Sequence, residues 1–213
     1  MKAIIFDLDG VLVHTDMYHY KAWKKLADRL GIYFDEQINN RLRGVSRLES
    51  LEIVLEKSEL KNLSTSEKET LANEKNEIYK EYLQAMTPDD LDCEVWDTLQ
   101  ALRMRGYKMA IGSSSRNARL ILEKIGLGDF FEAISDGNNI TNSKPDPEVF
   151  LKAAEYMGVE PKDCVVVEDA EAGVQAAIFA NMKVIAMGDA VRYGNADWNI
   201  ESFKDILDVL ANM

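Results

Sequence analysis

The sequence is poor in the residues that make covalent, fibrous or membrane-bound architectures. Among its 213 residues are two cysteines, Cys93 and Cys164, with no paired spacing. That excludes a disulfide framework and a zinc knuckle, and it sets the cytosol, where thiols stay reduced, as the expected compartment. Four prolines, 12 glycines and 8% aromatics exclude collagenous, low-complexity and disordered chains. No apolar stretch approaches the roughly 18 to 20 residues of a membrane span. The short apolar run at the N-terminus stops at Asp7, so no signal peptide is expected. Positive charge is scarce too: 25 Lys/Arg face 37 Asp/Glu, a net charge of −12. Broad binding to nucleic acid is therefore not expected. Hydrophobic residues at 46% and charged residues at 29% suit a soluble globular protein of one or two domains with a real core.

Short apolar runs ending in polar residues recur along the chain. They are Ala3–Phe6 before Asp7, Met109–Gly112 before Ser113-Ser114-Ser115, a weaker Ala133-Ile134 before Ser135-Asp136, Val165–Val167 before Glu168-Asp169, and Val184–Met187 before Gly188-Asp189. Runs that do not alternate read as strands buried on both faces, hence parallel. Between them lie helical patterns at Val95–Arg105, Ala118–Ile125, Pro147–Met157 and Ala170–Ala180. Strand and helix in alternation predict an α/β fold: a doubly wound, Rossmann-like parallel sheet. In such sheets ligands bind beyond the carboxyl ends of the strands, where the carboxylates and serines fall here.

Residues 16–86 have another texture. Tyr18, Ala22, Trp23, Leu26 and Leu30 form one helical stripe that stops at Gly31, and Ser46/Glu49 and Ser64/Glu67 have capping-box spacing. This predicts an all-helical cap domain at 16–86, inserted after the first strand of a core made of 1–15 and 87–213. The insert carries 12 Lys/Arg and 13 Asp/Glu, so nearly all the net negative charge sits in the core. An insert on two short joints can act as a lid.

Asp7 and Asp9 flank Leu8 after the first strand, and Glu168-Asp169 ends another. Either pair alone is equally a turn or a helix cap. Two acidic strand ends in one sheet favour a hard cation such as Mg2+, which takes carboxylate, water and phosphate oxygens. Lys144 would offset those charges if it reaches them, and Ser113–Ser115 opens a helix where backbone N–H groups can cradle an anion.

Asp7-Leu8-Asp9-Gly10-Val11, Ser113, Lys144-Pro145 and Glu168-Asp169, in that order, resemble the motifs of the haloacid-dehalogenase-like phosphotransferases across essentially the whole chain. Leu42–Arg47 with Ser50-Leu51, Tyr18–Trp23, Lys75–Tyr79 and Ser113–Asn117 are similar to the β-phosphoglucomutase branch of that family. The resemblance implies conversion of β-glucose 1-phosphate to glucose 6-phosphate through an aspartyl-phosphate and a 1,6-bisphosphate. It makes Asp7 the nucleophile, Asp9 the general acid/base, Ser113 and Lys144 the groups on the transferring phosphoryl oxygens, and Asp7, the Asp9 backbone carbonyl and Asp169 the Mg2+ ligands, with Glu168 a direct or an outer partner of the ion.

On the substrate side it implies Gly44, Val45, Ser46 and Arg47, with Arg47 forked on the second phosphate. It also implies Lys75 and Asn76 on the sugar hydroxyls, and Ser114, Ser115, Arg116 and Asn117 from the core. His19 would couple lid closure to Asp9; as a residue it is equally a half-exposed helical histidine. Trp23 belongs to the same group, although with Tyr79 it reads as cap packing. A monomer acting on a small sugar phosphate, with no nucleic acid or membrane partner, is expected.

His14 stands where the family commonly has an acid. Asp92–Val95 lacks a Pro-Gly turn, and Arg116 replaces a lysine. These departures bear on substrate detail. A cap-type phosphatase shares every core motif and is the alternative; a non-enzymatic phospho-acceptor domain is less favoured, because it has no use for a large cap.

Overall fold

The computed structural model describes the chain except Arg43 and Gly44, and only the backbone of Lys61. It divides into two compact units, residues 1–14 with 86–213, and residues 15–85. In chain order, β1 (Ala3–Phe6) is followed by α1 (Asp16–Leu30), α2 (Glu36–Asn40), α3 (Arg47–Leu55) and α4 (Thr65–Leu83). Then come α5 (Cys93–Met104), β2 (Lys108–Gly112), α6 (Ala118–Lys124), β3 (Ala133–Ser135) and α7 (Glu148–Met157). The chain closes with β4 (Cys164–Glu168), α8 (Glu171–Phe179), β5 (Lys183–Ala186), β6 (Trp198–Asn199) and α9 (Ile206–Ala211).

The strands form one parallel sheet in the order β3-β2-β1-β4-β5-β6. Both faces are covered, which is why the strands read as unbroken apolar runs. Ile5, Ala110, Val166 and Val184 share a core with Val149, Phe150 and Ala153 of α7 and Val174 and Ala177 of α8. On the other face Phe6 meets Phe203, their rings 5.7 Å apart. The sequence reading yields five strands and the structure has a sixth. β6 pairs Trp198 and Asn199 with Ile185 and Ala186 at the sheet edge, and neither residue is buried, so no apolar run betrays it.

The order of the strands positions the site. β1 has β2 on one side and β4 on the other, so successive connections diverge from it, and the carboxyl ends of β1 and β4 form the switch point at which sheets of this kind bind ligands. β1 runs into Asp7, β4 ends in Glu168 with Asp169 next, and Ser113 follows β2.

Among its described residues the second unit is all helical. Trp23, Leu26 and Ala27 of α1 pack with Leu51, Val54 and Leu55 of α3, Ala72 of α4 and Phe34. Gly31 ends α1 in the left-handed region at φ 69°, its N–H turned back onto Ala27 and Asp28. Both capping boxes form: Ser46 with Glu49 opens α3, and Ser64 with Glu67 opens α4.

Candidate active site

Asp7 leaves β1 with its N–H donating to the carbonyl of Val167 at 3.0 Å, which ties it to β4. Its side chain is buried, and its Oδ1 accepts a hydrogen bond from Lys144 Nζ. Lys144, also buried, donates to Glu168 Oε1 at 2.5 Å and lies 4.7 Å from the centroid of the Phe150 ring. The lysine therefore sits between two carboxylates brought side by side by the β1–β4 pairing. Burial alone would lower its pKa, but the charges of Asp7 and Glu168 outweigh it and hold the ammonium above its ordinary range. Burial above all, with the Glu168 charge beside it, pushes the Asp7 carboxyl up to about 7 against the pull of Lys144. Burial, then the charges of Glu168 and Asp7, push Asp169 up to about 8.

Two glycines make room for this cluster. Gly10 adopts φ +87°, and a β-carbon on it would fall 2.0 Å from Asp169 Oδ2. On Gly173 it would fall 1.8 Å from Glu168 Oε1. Between Asp7 and Gly10 the chain makes a tight turn, with the Gly10 N–H donating to the Val13 carbonyl at 2.8 Å and Asp9 bridged to Val13. Asp9 is half-buried on that turn.

Among the described residues no three His, Cys, Asp or Glu side chains are grouped to hold a metal ion. The fit to Mg2+ is of another kind. Mg2+ is commonly held through one or two carboxylates, the remaining positions going to water and phosphate. Asp7 and Asp169 are two carboxylates of like charge whose pKa values rise together, an arrangement a cation relieves, and the Asp9 carbonyl is a further oxygen on the same turn. Glu168, implied as a direct or an outer partner of the ion, makes two hydrogen bonds of its own. One of its oxygens accepts from Lys144 and the other from the Ala170 N–H at 2.9 Å, so its carboxylate faces the lysine and the start of α8.

Ser113 is buried after β2. Its N–H donates to the Ser135 carbonyl at 3.0 Å, and its hydroxyl accepts from the Ser115 N–H at 3.2 Å. The Ser115 hydroxyl in turn accepts from the Asn117 N–H at 3.2 Å, so Ser113–Asn117 forms two successive side-chain-capped turns. Asn117 is buried, Arg116 is exposed, and Ser114 and Ser115 are half-buried.

Within the helical unit the expected residues also gather. Lys75 is buried and donates to His19 Nδ1 at 2.8 Å; its ammonium lies 4.9 Å from the Trp23 ring and 4.8 Å from the Tyr79 ring. Burial first, then the charges of Lys75 and Arg47, hold the His19 imidazole well below its ordinary range. His19 is thus neutral and can accept from an ammonium. Arg47, in the first turn of α3, donates to Asn76 Oδ1 at 2.9 Å. Trp23 is core packing: it is buried among Leu26, Leu51 and Ala72, and Lys75 lies over its ring. Val45 and Ser46 are half-buried beside Arg47, and Gly44 lies outside the described residues.

The chain is similar to known proteins in sequence and in fold. A family model for haloacid dehalogenase-like hydrolases matches residues 1–181. The chain belongs to that family. As a member of the haloacid dehalogenase-like hydrolases, it is 40% identical over 207 residues to the β-phosphoglucomutase of Bacillus subtilis (strain 168), covering 97% of this chain and 92% of that protein. It is 31% identical over 186 residues to the fructose-1-phosphate phosphatase YqaB of Escherichia coli (strain K12), covering 86% of this chain and 94% of that one. The crystal structure of β-phosphoglucomutase from Clostridium difficile superposes with a TM-score of 0.93 at 36% identity, covering 100% of this chain and 96% of that one. These relatives support an enzyme that transfers phosphoryl groups.

Sequence reasoning passed over two residues of this haloacid dehalogenase-like site. Phe150, under Lys144, reads as one apolar position among many on α7. Glu148 reads as an ordinary first-turn acid.

Proposed function

We propose that the protein is a phosphomutase that interconverts β-glucose 1-phosphate and glucose 6-phosphate through a phosphorylated Asp7 and a 1,6-bisphosphate. The observation that carries this reading is the pairing of two constellations in one chain: Lys144 held between Asp7 and Glu168, and Arg47 with Asn76 beside Lys75 and His19 in the helical unit. The 40% identity to a β-phosphoglucomutase supports the same choice.

In this reading Asp7 attacks the phosphorus, and the bond to the sugar oxygen breaks as the bond to Oδ forms. Asp9 gives its proton to the departing oxygen and later takes one from the hydroxyl that receives the phosphoryl group. Lys144 and Ser113 hold the equatorial oxygens, which offsets the repulsion between a carboxylate and a phosphate dianion. Asp7, Asp169 and the Asp9 carbonyl would hold Mg2+, whose contribution when bound is to neutralise charge on the transferring group. Arg47 takes the phosphate that stays, because a guanidinium fork matches phosphate geometry. Ser115, Arg116 and Asn117 assist from the core unit, and Lys75 and Asn76 meet the sugar. The working form is a cytosolic monomer whose partner is the sugar phosphate alone.

A hydrolytic reading has one specific observation in its favour: a fructose-1-phosphate phosphatase is 31% identical over most of its length. The two separate in a coupled assay. Glucose 6-phosphate formed from β-glucose 1-phosphate, faster with added 1,6-bisphosphate, supports the mutase; inorganic phosphate as the dominant product overturns it.

A further inference from the structure

Lys144 lies in the segment that joins β3 to α7, and the polypeptide around it is fastened by a residue that neither binds nor touches the reacting groups. Glu148, the first residue of α7, accepts through one oxygen from two consecutive backbone N–H groups, Thr141 at 2.9 Å and Asn142 at 2.7 Å. Its other oxygen pairs with Lys152, one turn along, at 2.8 Å. Lys152 also donates to the carbonyl of Asn139. Three points upstream of Lys144 are thus tied to the first turn and a half of the helix downstream of it. A second clasp lies inside the first, where Asp146 accepts from the Glu148 N–H at 2.9 Å.

These ties act on a side chain with little freedom. Lys144 must enter a buried position between Asp7 and Glu168, over the Phe150 ring of the same helix. A charged carboxylate accepting two backbone N–H bonds and an ammonium is among the stronger polar arrangements available, and these bonds together hold the Glu148 carboxyl at about 2, well below its ordinary range. Its charge is therefore present throughout the working pH range.

We propose that Glu148, seconded by Lys152, is the positioning residue for Lys144: it closes the 139–148 segment into a rigid loop and so fixes where the ammonium arrives. The inference rests on the phosphoryl-holding role given above to Lys144.

Three variants test it: Glu148→Ala, Glu148→Gln and Lys152→Met. In Glu148→Gln one amide oxygen can still accept from both N–H groups, so only the ion pair is lost. Turnover is read with β-glucose 1-phosphate and with p-nitrophenyl phosphate, because Lys144 serves mutase and phosphatase chemistry alike. Glu148→Ala should lower kcat about 10- to 100-fold for both substrates with KM within about twofold, the signature of a misplaced group. Glu148→Gln and Lys152→Met should lose less, about 5-fold, in the same direction. Independently of activity, Lys144 should be acylated by an N-hydroxysuccinimide ester about 10-fold faster in Glu148→Ala than in the wild type, while amide exchange in β1 and β4 stays slow.

A wild-type rate of Lys144 acylation in folded Glu148→Ala overturns the proposal, as does a change confined to KM. Where Glu148→Ala does not fold, Lys152→Met decides by the same acylation rate, which must rise about 5-fold. A Lys144→Ala variant as active as the wild type would instead remove the role given to Lys144, while the acylation rates still report whether Glu148 holds it.

Discussion

Gly173 lies against Glu168 so closely that a β-carbon on the glycine would fall 1.8 Å from the carboxylate oxygen that binds Lys144. Inside a helix, glycine normally costs about 0.5–1 kcal/mol relative to alanine. Here the ordinary gain from alanine is reversed, because the methyl group would drive Glu168 off the lysine. Gly173→Ala should lower stability by about 1–3 kcal/mol and turnover at least about 10-fold. A denaturant melt and a rate measurement check both.

Lys144 lies between two buried carboxylates, so removing it should be costly. Lys144→Ala is expected to abolish turnover. It should also destabilise the fold by about 3–5 kcal/mol near neutral pH, through uncompensated buried charge. The loss should shrink in acid, where Asp7 takes up a proton, and stability measured at pH 5 and pH 8 separates the two effects.

The carboxyls of Asp7 and Asp169 give the metal-free protein a distinctive pH dependence. Their values in the fold, about 7 and about 8, lie above the ordinary 3.8, so the folded state binds more protons than the unfolded chain between those limits. Stability in chelator should therefore fall as pH rises from about 4 to about 8. Mg2+, bound by the ionised pair, should raise the melting temperature more at pH 8 than at pH 5. Asp7→Asn should flatten both effects; a Mg2+ shift equal at the two pH values would contradict the assignment.

Arg47→Ala separates recognition from chemistry. The variant loses the fork proposed for the second phosphate, and isomerisation should fall about 100-fold. Cleavage of a minimal one-phosphate ester should stay within about threefold, because nothing in the Asp7 cluster changes. Equal losses in both assays would make Arg47 a folding residue.

Much of this was legible because buried parallel strands leave contiguous apolar runs, and β1, β2 and β4 each end where chemistry begins. The capping boxes at Ser46 and Ser64 were equally plain, since their geometry is local. What escaped is what depends on distant chain segments meeting. Trp198 and Asn199 form a strand only because β5 offers an open edge. Glu168 sits in an acidic pair whose spacing says nothing of a lysine 24 residues earlier. Glu148 belongs to a Pro-Asp-Pro-Glu helix start, and its hold on Thr141 and Asn142 requires the loop to fold back. Trp23 reads from its periodicity as packing, which it is; the ammonium above its ring comes from α4 and leaves no mark on α1.

The central claim is that Asp7 receives the phosphoryl group. The chain should be incubated with Mg2+ and β-glucose 1,6-bisphosphate, quenched with borohydride to reduce any acyl-phosphate, and digested for mass spectrometry. The account predicts conversion of Asp7 to homoserine, absent from Asp7→Asn. Continued turnover of sugar phosphate with Asp7 unmodified, or modification at another carboxylate, would contradict it.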